Sequence, residues 1–204
     1  MRFVLGPIPP SETIDAAASG WTAMTSSFEL RWVRITSVAS MLALLIVGFF
    51  ALQRAAYAQD LIPWFLVGVI ASTLLLVPLH EFCHCLGYLV PLRSHKLITG
   101  LWPALGAFYV VYDSPLPRWR VLLMLAAPIV CLSVLPCMIY PFVTGSNAWA
   151  LTFLVFVHAS LCVGDTITFI RICVNIPPGS LVHSCGWTTY WTKPSGGQPQ
   201  ITMR

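Results

Sequence analysis

Charged side chains are scarce in this chain of 204 residues: only 9% are Asp, Glu, Lys or Arg, whereas soluble domains carry about 25%. Hydrophobic residues make up 57% of the chain, and its mean hydropathy is +0.80. This scarcity of charge excludes an ordinary water-soluble enzyme. We expect an all-α integral membrane protein, one domain that lies mostly in the lipid bilayer.

Three further features are lacking. Basic residues never form a run, so the net charge of +4 indicates no nucleic-acid partner. The seven cysteines are odd in number and lie mostly in apolar stretches, which excludes a disulfide framework. No internal repeat is present, which excludes a repeat array.

Long apolar stretches are abundant and predict about four transmembrane helices. Each is long enough to cross a hydrocarbon layer of ~30 Å, and they cover residues 35–52, 61–90, 121–142 and 148–171. Pro78 interrupts the second stretch, which a helix tolerates when the freed carbonyl finds another donor. The longest connection, residues 91–120, alternates in polarity around residues 107–112 and predicts a short strand or hairpin.

The basic residues fall almost entirely on one side of the predicted spans. The N-terminal segment, the 91–120 connection and the C-terminal end together carry ten of the eleven, and the two opposite loops carry only Arg54. Cytoplasmic loops of membrane proteins are enriched in Lys and Arg. The sequence therefore predicts a multi-pass protein with both termini in the cytoplasm.

The stretch 78-PLHEFCHCLGYL-89, near the end of the second span, carries an H-E-x-x-H pattern at His80, Glu81 and His84. Residues four apart share a helix face, so both imidazoles project together with the glutamate beside them. Two such imidazoles can hold a zinc ion, and the glutamate can take a proton from the attacking water. An ionisable residue near bilayer depth costs ~2.5 kcal/mol or more on insertion scales, so its presence indicates a functional site.

The cysteines beside the motif are discounted as ligands. Cys83 and Cys85 flank His84, but on a helix they point away from the face shared by the two histidines. Gly87 lies on the same face as His80 and could allow another helix or the substrate to approach.

A catalytic zinc ion takes three protein ligands, and outside the motif His158 and Asp165 are the only histidine or carboxylate side chains within a predicted span. Measured from the outer ends of the spans, the motif lies ~29–35 Å deep, Asp165 ~26 Å deep, and His158 ~10 Å further out. We therefore predict Asp165 as the third ligand. His158 is left as a residue that supports the ligands, as a donor to the transition state, or as a packed polar residue bound to a neighbouring helix.

A membrane helix with H-E-x-x-H, followed by a later helix with a ligand aspartate, resembles the site-2 protease type of intramembrane metalloprotease. The layout is more closely similar to a small family of membrane zincin peptidases. The pieces that carry this resemblance are 80-HEFCH-84, 126-AAP-128 and 164-GDTITFIRICVNIPPGSLVHSCGWTTYW-191. The resemblance implies a bound zinc ion (Zn2+), the ligands His80, His84 and Asp165, and Glu81 as the catalytic base. The order Gly164-Asp165, with no Asn-Pro before it, departs from the site-2 protease pattern and leaves substrate positioning unassigned.

These features together predict an intramembrane zinc-dependent endopeptidase. We expect it to cleave a transmembrane or juxtamembrane segment of a membrane protein or peptide near the cytoplasmic face. Because a helix hides its peptide carbonyls in hydrogen bonds, the substrate must be locally unwound, and the 91–120 connection could pair with it through a strand edge. The corresponding parts of the chain are an N-terminal cytoplasmic segment, a four-helix transmembrane metalloprotease-like domain and a polar, loop-like C-terminal tail, at residues 1–34, 35–174 and 175–204.

Two alternatives stay open. The first is a non-catalytic membrane protein that binds a metal, or binds haem through histidines on two spans, such as His84 and His158. The second is an inactive scaffold that has kept its metal ligands.

Overall fold

The computed structural model describes residues 1–13, 20–24, 61–105, 107–186 and 188–193, together with single positions between 35 and 50. The predicted first span, residues 35–52, therefore lies largely outside the described residues. The helices of the described part are α1 to α5, at Leu61–Gly87, Arg118–Ile129, Leu135–Ile139, Ser146–Leu161 and Val163–Asn175. A π-helical turn, Val130–Val134, joins α2 to α3, and a 3-10 turn, Tyr140–Phe142, follows α3.

Two of the described helical stretches are long and apolar enough to cross a membrane, namely Leu66–Gly87 and Arg118–Phe142. The pair Asn147–Leu161 and Val163–Asn175 would be a third if it counts as one span. These stretches correspond to the predicted second, third and fourth spans and indicate membrane association. Four transmembrane helices remain a prediction.

The predicted fourth span is divided in two. Helices α4 and α5 meet at Cys162, where the axis bends by 49°. The bend places Asp165 in the first turn of α5. The backbone dipoles of a helix make its N-terminal turn electropositive, so a carboxylate is favourably placed there even in an apolar setting.

Helix α1 has one face against the protein and one face open. Ser72, Leu76, His80 and His84 are buried at steps of four residues, which is the spacing of one helix face. The opposite face carries large exposed apolar residues such as Ile70 and Leu74. A stripe of that kind is favourable only against lipid or another apolar surface.

Two small β-sheets cover the end of the helices at which α1 terminates. The first sheet has the order β1–β3–β4, from the strands Arg2–Leu5, Leu97–Trp102 and Ala107–Tyr112; β1 runs parallel and β4 antiparallel to β3. The second is antiparallel with the order β2–β7–β6–β5, from the strands Thr22–Ala23, Thr188–Thr192, Leu181–Cys185 and Leu116–Pro117.

The sheets correct the expectation of an all-α chain with one short hairpin and a loop-like tail. The β3–β4 hairpin matches the strand predicted around residues 107–112. The tail instead forms the hairpin β6–β7, with Gly186 in its turn at φ +59°. The tail strands are rich in β-branched and aromatic residues, but their polar side chains hide the strand pattern in the sequence.

The main apolar core lies where the helix ends meet the sheets. It joins the ends of three helices with both sheets. Its buried members are Cys85 and Tyr88 at the end of α1, Leu97 from β3, Val121, Met124 and Leu125 from α2, Ile172 and Ile176 at the end of α5, and Leu116 and Val182 from the second sheet. The end of α1 is therefore held on several sides, directly below His80 and His84.

Helices α1 and α2 approach each other closely at Gly87. A Cβ atom at this position would lie 2.6 Å from Cα of Met124 and 3.0 Å from Cβ of Ala127. Backbone atoms cannot yield as a flexible side chain can, so the two helices must separate if a methyl group is added.

We expect Gly87→Ala to lower the thermal unfolding midpoint of the detergent-solubilised protein, because overpacking costs about 1–3 kcal/mol. Gly68→Ala on the same helix is the matched control: its Cβ would meet only ring atoms of Phe153, at 3.1 and 3.2 Å. The control should be neutral or slightly stabilising, since alanine is the better helix former. Equal midpoints for the two variants would contradict this packing argument.

Candidate metal centre

The H-E-x-x-H motif lies in the last two turns of α1. His80 and His84 lie seven and three residues before Gly87, or ~10.5 and ~4.5 Å from the helix end along the axis. Both imidazoles are buried, and their Nε2 atoms are 3.1 Å apart. The two histidines therefore present their Nε2 atoms to one point beside the helix.

Asp165 reaches the same point from α5. Its Oδ2 atom lies 3.0 Å from Nε2 of His80 and 3.4 Å from Nε2 of His84. Zinc bonds of ~2.0–2.1 Å at tetrahedral angles place neighbouring ligand atoms ~3.3–3.4 Å apart. The three atoms thus have nearly the mutual spacing of three corners of a zinc tetrahedron.

The proton positions on these groups also suit a cation. Nδ1 of His84 lies 2.9 Å from the backbone carbonyl of Met124, which can only accept, so Nδ1 carries the hydrogen and Nε2 of the neutral ring carries a lone pair. Oδ2 of Asp165 is buried, and the Nε2 atoms of His80 and His84 lie 3.0 and 3.4 Å from it. Lone pairs that face each other at about 3 Å repel unless a cation or a proton lies between them.

Glu81 stands beside this triangle and is not part of it. A carboxylate oxygen of Glu81 and one ring nitrogen each of His80 and His84 all lie within 4.8 Å of one another, so these residues form a group that could hold a metal ion. The side chain is half-buried, whereas both histidines are buried. A carboxylate at this distance can accept a proton from a water molecule placed between it and the histidines.

His158 contacts the opposite side of His80. Its Nε2 atom lies 3.3 Å from Nδ1 of His80, and its own Nδ1 lies 2.8 Å from Oγ of Ser133 in the π-helical turn. His158 is fully buried. The sequence left the role of His158 open, and the structure places it against His80, a histidine of the motif.

Cys162 completes a second group that could hold a metal ion, with His80 and His158. Its Sγ lies 3.8 Å from Nδ1 of His80 and 3.7 Å from both ring nitrogens of His158. A sulfur equidistant from both nitrogens sits beside the ring and not along the axis of one lone pair. All three residues of this group are buried, whereas Glu81 in the first group is half-buried.

The sequence analysis missed Cys162 and Ser133 as neighbours of the motif. The spacing of four between His158 and Cys162 was a signal that both share a helix face. No sequence signal paired Ser133 with His158, because that contact depends on how α2 and α4 pack. Among the described residues, neither Cys83 nor Cys85 belongs to a group that could hold a metal ion.

A second buried polar cluster lies outside the spans. Asp113 accepts hydrogen bonds from Oγ of Ser11 at 2.5 Å and from the backbone N–H of Glu12 at 2.9 Å, and Nε2 of His183 lies 3.0 Å from Oγ of Ser11. Burial lowers the pKa of His183, although the nearby Asp113 carboxylate opposes the shift. Oδ1 of Asp113 lies 3.8 Å from Nε2 of His183, the same ring nitrogen that contacts Ser11. In a Ser-His-Asp triad the serine and the aspartate contact opposite ring nitrogens, so this cluster is not such a triad. The cluster fastens the N-terminal segment to the sheets.

The comparisons with known proteins agree with the metal centre at the level of the family. No curated protein matches the chain, and no solved structure matches it. The resemblance to site-2 proteases thus stays a prediction. Residues 73–181, just over half of the chain, match a protein family described as "Putative zincin peptidase", and this segment holds the H-E-x-x-H motif and Asp165. The chain therefore belongs to this zincin peptidase family.

Proposed function

We propose that the protein is an intramembrane zinc-dependent endopeptidase that cleaves a transmembrane or juxtamembrane segment near one face of the membrane. The observation that carries this proposal is the meeting of three donor atoms, Nε2 of His80, Nε2 of His84 and Oδ2 of Asp165, at 3.0–3.4 Å inside an apolar helical bundle. The zincin family supports zinc as the ion and peptide hydrolysis as the reaction.

In this proposal, His80, His84 and Asp165 would hold the ion. Zinc bound there would supply a hydrolytic nucleophile at neutral pH and polarise the scissile carbonyl. Glu81 takes one proton from the attacking water while the new C–O bond forms. It then delivers that proton to the amide nitrogen as the C–N bond breaks. Glu81 thereby returns to its starting protonation state.

The substrate must reach this centre in an extended form, because hydrolysis needs a free peptide carbonyl. Strand β4 is an edge strand among the described residues, since β3 is its one neighbour in the sheet. Tyr112 at its end lies against Tyr88, with ring centroids 6.0 Å apart, one turn beyond His84. An extended segment that adds to this edge would run towards the metal centre, with backbone hydrogen bonds replacing those of the unwound helix.

The proposed orientation follows the basic residues. The sheets that cover the end of α1 carry or adjoin most of the 91–120 connection, whose four basic residues indicate the cytoplasmic side. We propose a multi-pass protein with both termini and the metal centre towards the cytoplasm. Its substrates would then be cut close to that face.

Metal analysis of the purified protein tests the three ligands. We expect one equivalent of zinc in the wild type and a loss of at least tenfold in affinity in Asp165→Ala, because a two-histidine site lacks the third ligand. The double variant Cys83→Ser and Cys85→Ser is the matched control, and it should keep one equivalent. Full zinc in Asp165→Ala would remove Asp165 from the site.

A Glu81→Gln variant tests the catalytic base. Glutamine keeps the size and polarity of the side chain but cannot accept the proton, so cleavage should fall by about 10²–10⁴-fold while bound zinc stays at the wild-type level. Glu12→Gln, which changes an exposed glutamate, should leave both quantities unchanged. If Glu81→Gln cleaves a membrane-embedded peptide at the wild-type rate, Glu81 is excluded as the base.

The same purified protein separates the alternatives. A haem held by His84 and His158 would need a macrocycle next to His158, but Nε2 of that fully buried residue is 3.3 Å from His80. We expect no Soret absorbance. Stoichiometric zinc without cleavage of any membrane-embedded peptide would favour an inactive scaffold.

A further inference from the structure

We infer that Pro128 is a positioning residue for the metal centre: its missing N–H leaves the Met124 carbonyl free to hold His84 in the tautomer that presents Nε2 to the ion. The inference rests on the proposed zinc function. It adds a residue that touches neither the ion nor the substrate and acts through His84.

The backbone hydrogen-bond pattern of α2 is interrupted at Pro128. In an α-helix the N–H of each residue bonds to the carbonyl four residues earlier, so residue 128 would serve the carbonyl of Met124. Proline has no N–H, and its ring pushes that carbonyl away from the helix axis. Met124 is buried, so its carbonyl must find a donor within the protein.

His84 supplies that donor. Its Nδ1 lies 2.9 Å from the Met124 oxygen, so the N–H of the ring fills the place that residue 128 leaves vacant. With Nδ1 protonated, Nε2 holds its lone pair towards Oδ2 of Asp165 at 3.4 Å. A ligand histidine whose other nitrogen donates to a carbonyl is fixed in ring orientation as well as tautomer.

Gly87 brings the two partners within reach. Because it has no Cβ, the backbone of α2 at Met124 can approach the last turn of α1 to a distance that any side chain would prevent. Gly87 lies three residues after His84, on the same side of α1. The hydrogen bond therefore depends on a proline in one helix and a glycine in the other.

The same stretch of chain supports the other ligand histidine. Buried residues of α2 occur at Val121, Met124, Leu125 and Pro128, and the next buried residue is Ser133, a step of five. The π-helical turn accounts for this step, since it adds one residue to the turn. Ser133 thereby faces His158, which in turn contacts Nδ1 of His80.

The His80–His158–Ser133 chain can run in either direction, because each of its groups can donate or accept. An ion at Nε2 of His80 selects the direction in which Nδ1 of His80 donates to His158 and His158 donates to Ser133. Residues of the 124–133 stretch thus hold the Nδ1 atoms of both ligand imidazoles. The Met124 carbonyl contacts Nδ1 of His84, and the Ser133 hydroxyl acts on Nδ1 of His80 through His158.

The test is the zinc affinity of full-length Pro128→Ala, measured in detergent by competition with a chelator, with Pro136→Ala as the matched control in the same helical stretch. The backbone N–H that alanine restores at this position would compete for the Met124 carbonyl, so we expect zinc to bind about tenfold more weakly. The absorption spectrum of the Co2+-loaded variant should also shift, because the His84 ring is no longer fixed. Pro136→Ala should match the wild type in both measurements.

Stability distinguishes positioning from damage to the fold. Alanine restores a helical hydrogen bond but removes ring atoms from a fully buried side chain, so the thermal midpoint of metal-free Pro128→Ala should change little while its zinc affinity falls. Affinity then falls without a matching loss of stability. Zinc affinity within twofold of the wild type, together with an unchanged Co2+ spectrum, would overturn the inference.

Gly87→Ala reaches the same hydrogen bond from the opposite helix, so the inference can be tested even if Pro128→Ala does not fold. By moving Met124 away from His84, Gly87→Ala should weaken zinc binding several-fold and shift the Co2+ spectrum in the same sense, whereas Gly68→Ala should not. A folded Gly87→Ala protein with wild-type affinity and spectrum would count against the role of the carbonyl.

The affinity measurements do not depend on cleavage, so the two levels of proposal can fail separately. A wild-type protein that binds no zinc would refute the proposed function and the inference together. A wild type that binds zinc as tightly as its Pro128→Ala and Gly87→Ala variants would refute the inference alone.

Discussion

Two imidazole nitrogens and one carboxylate oxygen meet at 3.0–3.4 Å, and the rest of this structure depends on that constraint. Such an arrangement is unfavourable without a cation or a proton between the atoms, and the apolar surroundings raise its cost. It requires α1 and α5 to be held against each other at a fixed distance. The core of helix ends and the two small sheets directly below the motif supply that restraint.

Three irregular stretches of helix backbone shape the candidate metal centre. The bend at Cys162 puts Asp165 into a first turn, the proline in α2 frees a carbonyl, and the π-helical turn redirects a serine. In lipid, every unpaired backbone group must find a partner within the protein. Departures from regular helix are therefore costly here, and each of these three lies next to a residue of the motif or its partners.

The outer surface of the helices and the interior around the motif differ in polarity. Large apolar side chains cover the outside of α1, whereas the ionisable residues of the centre all face inward. The second buried polar cluster, at Asp113 and His183, lies among the sheets and ties the N-terminal segment to them. One polar cluster thus suits chemistry and the other suits attachment, although both combine histidine with aspartate. Their geometry, and not their composition, separates them.

The sequence by itself determined the membrane character, the three helical stretches that the structure describes at full length, and the motif at His80, Glu81 and His84. Composition, the length of an apolar stretch and a spacing of four residues are local properties, so they can be recognised in the sequence without knowledge of the fold. Depth along the spans also led to the prediction of Asp165 as the third ligand; the structure places its carboxylate 3.0–3.4 Å from both histidines, and its role as a ligand stays a prediction. The tail hairpin, the bend at Cys162 and the contacts of His158, Ser133 and Met124 were decided only by tertiary structure. The tail hairpin is local, but its polar side chains hide the strand pattern. The contacts of His158, Ser133 and Met124 join residues that are 25 or more positions apart, and packing of that kind leaves no periodic mark in the sequence.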